Sequence, residues 1–182
     1  GAGTQARWQA RAIAAGRGVD TVWIYSPSES RAACAADLRS EGIDAEAVDS
    51  ARAAVADADV VVTATTATEP VFPGDALAPG TLVVAVGAYT AAMRELDATT
   101  VSRAARLFAD VPEEAAETGD FPAHDESAFT PLSAVFEGES GRESATEILV
   151  VSSVGSAVLD AAAATTLFER ARAENVGSEV EL

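Results

Sequence analysis

Short apolar runs recur along the chain, and between them hydrophobic and polar positions alternate at helical spacing. Val60-Val61-Val62-Thr63-Ala64 and Leu82-Val83-Val84-Ala85-Val86 are continuous runs rich in β-branched residues, as in strands buried on both faces. Residues 22–25, 45–48, 107–109 and 148–151 predict four further strands. Helices are predicted over 7–15, 29–39, 51–56 with Ser50 as N-cap, 98–103 with Asp97 as cap, 111–118 and 156–173. Thr130-Pro131 predicts the start of one more short helix, with proline in its first turn. Strands that alternate with helices through short loops predict an α/β fold, a parallel sheet covered on both sides.

In such sheets ligands lie outside the carboxyl ends of the strands. The segments to examine are therefore 26–28, 65–67, 87–89 and 152–155, each small or hydroxyl-rich. Ordinary loops have the same composition, but four of them together favour a cofactor crevice. The front of the chain points the same way. Gly1-Ala2-Gly3-Thr4-Gln5-Ala6 fits the GxGxxG/A pattern of a dinucleotide-binding turn. Its first glycine allows a tight turn, its second admits backbone amides to a pyrophosphate, and Ala6 lets helix and strand pack closely. The helix that follows would aim its positive end at the phosphates. An ordinary helix start reads the same way, and the pattern needs a strand before it, whereas none precedes Gly1 here.

Composition narrows the partners. The 182 residues suit one domain, and 48% hydrophobic residues suffice for a core. A net charge of −17 repels phosphate backbones and anionic lipids, which argues against nucleic-acid and membrane binding. All 12 basic residues are arginine. So acidic and lysine-free a chain predicts a salt-adapted, halophilic protein of the cytoplasm, since molar salt screens its self-repulsion. GC-biased coding also favours arginine over lysine. Cys34 is the single cysteine, which excludes an intrachain disulfide and fits a reducing compartment; it reads as a small apolar helix residue. His124 is the single histidine, so no metal site is expected. No apolar run approaches a membrane span and no signal peptide is visible.

Taken in order, these motifs resemble the ornithine cyclodeaminase/mu-crystallin family. The resemblance rests on the opening glycine turn, on Thr63-Ala64-Thr65-Thr66 with Glu69-Pro70-Val71, and on Val86-Gly87-Ala88 with Arg94-Glu95-Leu96-Asp97. It continues through Asp110, Glu117-Thr118-Gly119-Asp120, Gly141-Arg142, Ser153-Val154-Gly155 and Asp160-Ala161-Ala162-Ala163-Ala164. It implies a Rossmann-type doubly wound parallel sheet over residues 1–152, lacking its first strand and the N-terminal substrate domain. Residues 153–182 would form a C-terminal helix and tail returning to that domain, which in the family also forms much of the homodimer. The chain is thus expected to be a fragment or truncated frame of a larger enzyme.

The implied activity is hydride transfer between a nicotinamide cofactor and the amine- or imine-bearing carbon of a small amino or imino acid. The cofactor would lie along Gly1, Ala2, Gly3, Thr4, Gln5, Ala6, Ser26, Ser28, Arg31, Thr65, Thr66, Ala67, Val86, Gly87, Ala88, Ser153 and Gly155. Tyr89 occupies the place of an aspartate shared by cyclodeaminases and archaeal alanine dehydrogenases, so no catalytic residue is assigned. A phenol is a poor base at neutral pH, though it can donate a hydrogen bond. Met93 stands where those enzymes carry a lysine; ketimine reductases of the mu-crystallin type also lack that aspartate and that lysine, so the chain leans their way. Ser152 replaces a lysine common before the Ser-Val-Gly block, and the proline usual in the Tyr89 loop is Ala91 here. Ammonia-eliminating cyclodeamination and a non-catalytic nucleotide-binding remnant are the alternatives. At the end of the second strand Ser26-Pro27-Ser28 offers no carboxylate for a ribose 2′-hydroxyl. Two hydroxyls and the Arg31 guanidinium instead suit a 2′-phosphate, favouring NADP over NAD, although Glu29 lies close.

Overall fold

The computed structural model describes residues 1–178 and 180; Glu179, Glu181 and Leu182, the end of the expected C-terminal tail, lie outside the described residues. The chain alternates helix and strand from its start. In order these are α1 (Thr4–Gly16), β1 (Val22–Ile24), α2 (Ser30–Ser40), β2 (Ala45–Ala47), α3 (Ala51–Val55), β3 (Val60–Thr63) and β4 (Leu82–Ala85). There follow α4 (Ala98–Arg103), β5 (Ala104–Ala109), α5 (Pro112–Ala116), β6 (Phe129–Pro131), α6 (Leu132–Phe136), β7 (Ile148–Ser152) and α7 (Ala157–Glu174). Single 3-10 turns occur at Gly74–Ala76 and Glu126–Ala128.

All strand pairings are parallel, as expected of an α/β chain, but they form two sheets rather than one. β1 pairs with β2 alone, while the larger sheet runs β3-β4-β7-β5-β6. β1 and β3 do not pair, and Gly1 lies between their carboxyl ends. The Gly1 amino group donates to the Tyr25 carbonyl at 3.0 Å, and a Cβ added at Gly1 would meet the Ala64 carbonyl oxygen at 2.7 Å. Each sheet has its own core. Val61, Val83, Leu96, Val150, Phe121 and Phe129 belong to the larger one; Ile24, Cys34, Ala35, Leu38 and Ala45 form the smaller under β1 and β2. Cys34 and Leu38, four apart on one face of α2, are both buried, as an amphipathic helix requires. Burying a leucine of this kind contributes about 2 kcal/mol.

Local signals account for most boundaries. The Ser50 hydroxyl accepts from the Ala53 amide at 3.1 Å and caps α3; Asp97 caps α4 through the Thr100 amide at 2.7 Å. Pro112 opens α5, with Glu113 and Glu114 in its first turn. Two expectations need correction. The short helix expected from Thr130-Pro131 is α6, which starts at Leu132 with Pro131 as its N-cap and not in its first turn; residues 129–131 themselves form a three-residue edge strand paired with β5. β5 also starts three residues before the apolar run at 107–109, directly after Arg103. Arg103 anchors that junction by donating to the Gly74 carbonyl at 2.5 Å and the Leu77 carbonyl at 3.0 Å. The long helix α7 ends at Asn175 in the left-handed conformation, and none of its residues is buried. No described helix is long and apolar enough to cross a membrane.

Candidate functional site

The loops singled out from the sequence lie side by side, because parallel strands deliver their carboxyl ends to one edge. Neighbouring contacts connect them in turn. Ser26 follows Tyr25, whose carbonyl accepts from Gly1. Gly1 in turn lies against Ala64 and Thr65, so closely that a side chain there would strike the Ala64 backbone. The Val86 amide donates to the Thr63 carbonyl and the Ser153 amide to the Ala85 carbonyl, which joins the ends of β3, β4 and β7. The glycine turn, 26–28, 65–67, 86–88 and 153–155 therefore make one continuous rim.

At one end of this rim stands the first turn of α1. Gly3 is its N-cap and supplies no side-chain cap, so the amides of Thr4, Gln5 and Ala6 have no intrahelical acceptor. Nothing lies within 4 Å of a Cβ added at Gly3, and Gly3, Thr4 and Gln5 are exposed. Gly1 and Gly3 thus differ in kind. The first is required by close backbone packing, whereas the second leaves open space in front of free amides. Ala2 is buried against the smaller core, and Ala6 is half-buried.

Beyond β1 the hydroxyls of Ser26, Ser28 and Ser30 converge, with separations of 3.3 Å, 3.2 Å and 2.7 Å. Ser30 escaped the sequence reading; its place in the first turn of α2 is the signal that could have found it. The Arg31 guanidinium donates to the carbonyls of Ser26 (3.2 Å) and Ser28 (3.0 Å) and so braces the backbone that carries these serines. Two exposed carboxylates border it, Glu29 at 3.8 Å and Asp49 at 4.0 Å. Asp49 follows β2 and was invisible as a neighbour until the β1–β2 pairing placed it.

In the middle of the rim two carboxyl groups, neither expected at the site, hold the loops. Glu95 is fully buried. Its oxygens accept from the Thr65 amide (2.6 Å), the Thr63 hydroxyl (2.8 Å) and the Gly87 amide (2.8 Å). Its own amide and that of Leu96 donate to Asp120 at 2.6 Å and 2.7 Å. Burial pushes the Asp120 carboxyl above its ordinary range, against the pull of those two amides. Asp110 holds the far end. It accepts from the Gly155 amide (2.8 Å), the Val111 amide (2.9 Å), the Val154 amide (3.1 Å) and the Ser153 hydroxyl (3.1 Å). Thr66 and Tyr89 are exposed, and Ala88 is buried. Cys34 is buried away from the rim, in the core under β1 and β2, and burial raises its thiol pKa.

The surface so formed is a shallow rim carrying free amides at one end, hydroxyls and a guanidinium beside them, and small residues along its length. It offers donors for a diphosphate, with open space at Gly3 and Gly155. Known proteins resemble the chain along its whole length. The family model for the ornithine cyclodeaminase/mu-crystallin family matches residues 1–175. A Δ(1)-pyrroline-2-carboxylate reductase of Bacillus cereus is 36% identical over all of this chain and 59% of its own length. The solved structure of Thermococcus litoralis Δ(1)-pyrroline-2-carboxylate reductase with NADH and L-proline superposes with a TM-score of 0.90 at 33% identity. That match covers 99% of this chain and 59% of the other. The iminosuccinate reductase of Paracoccus denitrificans in complex with NAD+ gives 0.83 at 29% identity, over 100% and 58%. The chain thus spans a little under three fifths of the length of these relatives. On these matches the chain belongs to the ornithine cyclodeaminase/mu-crystallin family.

Proposed function

We propose that this chain is the nicotinamide-dinucleotide-binding part of an oxidoreductase that transfers hydride at the imine or amine carbon of a small amino or imino acid. The observation that carries the reading is the unbroken rim from the Gly1–Gly3 turn, past Thr65 and Gly87, to Ser153–Gly155. The open space at Gly3 before the unpaired amides of Thr4, Gln5 and Ala6 fits a diphosphate. Thr65, Thr66, Ala67, Val86, Gly87 and Ala88 would flank the ribose and nicotinamide path, with Ser153 and Gly155 beyond. The cofactor supplies the hydride chemistry; the chain binds and orients it.

The relatives named above, reductases of cyclic imines and of iminosuccinate with NADH or NAD+ bound, support a reductase. Tyr89 supports direct reduction over ammonia elimination. Its ring is exposed beside Gly87 and can donate a hydrogen bond, whereas water activation would call for a carboxylate. The Ser26, Ser28, Ser30 and Arg31 cluster favours NADP, since three hydroxyls and a guanidinium complement a 2′-phosphate. Glu29 and Asp49 oppose that preference. A strand ahead of Gly1 would fit between β1 and β3, and α7, exposed along its length with Val158, Leu159, Leu167 and Phe168 at its surface, suits packing on a further domain or a dimer partner. The acidic charge suits a cytoplasm rich in salt.

The test is titration of NADPH and NADH into the protein expressed from its own reading frame, followed by assays with Δ(1)-pyrroline-2-carboxylate and iminosuccinate. Micromolar cofactor binding with imine reduction is expected. Ammonia release from ornithine would instead identify a cyclodeaminase, and cofactor binding without turnover a non-catalytic protein. Absence of binding to either cofactor would refute the reading.

A further inference from the structure

Glu95 is the most deeply buried carboxyl group of the rim, and among the described residues no arginine pairs with it. The neighbouring Arg94 turns to the Leu96 carbonyl instead. A carboxyl group buried without a cation is tolerated when hydrogen bonds replace its hydration. Here the donors are the Thr65 amide, in the loop after β3, the Gly87 amide, in the loop after β4, and the Thr63 hydroxyl. Two loops from adjacent strands therefore share one acceptor. The contact is tight enough that a Cβ at Gly87 would lie 2.6 Å from the Glu95 carboxyl carbon.

Asp110 repeats the device on the next two strands of the sheet, β7 and β5. It stands at the end of β5 and accepts from Ser153, Val154 and Gly155, in the loop after β7. In the sheet order β3-β4-β7-β5 the two carboxyl groups thus bind four consecutive loops in pairs. Neither hydrogen-bonds to the Gly1–Gly3 turn or to the serine cluster at the end of β1; the turn meets the tied loops only where Gly1 packs against Ala64 and Thr65.

We propose that Glu95 and Asp110 are positioning residues for the nicotinamide half of the cofactor, each tying two strand-end loops to a shared acceptor. The proposal rests on the cofactor reading above. It separates the two halves of the ligand: the diphosphate and adenosine end depends on α1 and β1, the ring end on the tied loops. Replacing Glu95 by glutamine keeps the shape and puts an NH2 group where one of two amides needs an acceptor. The Thr63 hydroxyl can turn to accept from that NH2, but the Thr65 or Gly87 amide loses its partner. Asp110→Asn does the same to the loop after β7.

The experiment measures four dissociation constants for wild type, Glu95→Gln and Asp110→Asn, each expressed from the native reading frame. The probes are NADH with ADP-ribose, and NADPH with 2′-phospho-ADP-ribose, so that each pair differs by the nicotinamide ring. Each variant is expected to weaken the dinucleotide about tenfold and the ring-less fragment less than about twofold. Equal weakening of dinucleotide and fragment would mean a general structural role and overturn the proposal, as would no change in either. Wild-type protein that binds none of the four probes would refute the cofactor reading itself. Should Glu95→Gln fail to fold, Asp110→Asn carries the test; failure of both to fold would overturn the proposal, since positioning would then be inseparable from folding.

Discussion

The Gly87 amide donates to a carboxyl oxygen of Glu95 at 2.8 Å, and the Gly87 Cα hydrogens face the same carboxyl group and the Thr65 carbonyl. No side chain fits between them. Gly87→Ala must push β4's loop off Glu95 or move the Thr65 loop, and overpacking of this kind costs about 1–3 kcal/mol. The expected outcome is a destabilisation of that size by urea unfolding, together with weakened cofactor binding. A variant as stable as wild type would contradict the close approach.

Gly3 gives the opposite separation. Its Cβ direction is open, so Gly3→Val should leave the melting temperature within a few degrees of wild type. Dinucleotide binding should nevertheless fall by more than about tenfold, because the side chain enters the space proposed for the diphosphate. Unchanged affinity would remove the glycine turn from the site.

Arg31→Ala addresses cofactor choice. The guanidinium lies against the carbonyls of Ser26 and Ser28, and a charge-assisted bond to a 2′-phosphate is worth about 1.5–3 kcal/mol. NADPH affinity is expected to fall about tenfold or more while NADH affinity stays within about twofold. If both fall equally, Arg31 only braces the serine loop.

Two carboxyl groups titrate with opposite sign. Burial works against ionisation of Asp97, but the amides of Gly74 and Thr100 and the Thr100 hydroxyl outweigh it and hold the group below its ordinary range. A folded pKa below the unfolded one contributes stability above about pH 4 that is lost as pH falls through the folded value. Asp97→Ala should therefore cost about 1–2 kcal/mol at neutral pH, with the gap to wild type narrowing in acid. Asp120 is raised by burial, so its charging opposes folding above its folded pKa and the contribution improves as pH falls. Asp120→Asn, whose carbonyl still accepts from Glu95 and Leu96, should gain relative to wild type as pH rises from acid toward neutral. Urea unfolding across that range checks both signs.

With a net charge of −17 on 182 residues, self-repulsion falls as salt rises. The melting temperature is expected to climb with KCl toward molar concentrations. A curve flat in salt would leave coding bias as the explanation of the arginine-only composition.

How much of this was legible beforehand follows from where each signal resides. β7 is buried along most of its length, and β3 and β4 alternate buried with partly covered positions that are themselves filled by apolar residues, so the runs show at once. Ser50 and Asp97 act within three residues, and such caps can be seen locally. β6 could not be seen, because a three-residue edge strand carrying a proline has no pattern apart from its pairing with β5. The break between β1 and β3 likewise shows only in the strand pairing. At the site, glycines and hydroxyls announced the rim because close backbone approach demands those residue types. Glu95 and Asp110 lie in blocks that carry the family resemblance, but nothing local marked them, among 29 acidic residues, as the groups that hold the rim. Local chemistry alone determined which strands form and where a ligand can approach their ends. Only the folded chain decided which two carboxyl groups lie beneath that edge, since the partners of Glu95 come from loops 8 and about 30 residues away and the partners of Asp110 in the loop after β7 from more than 40.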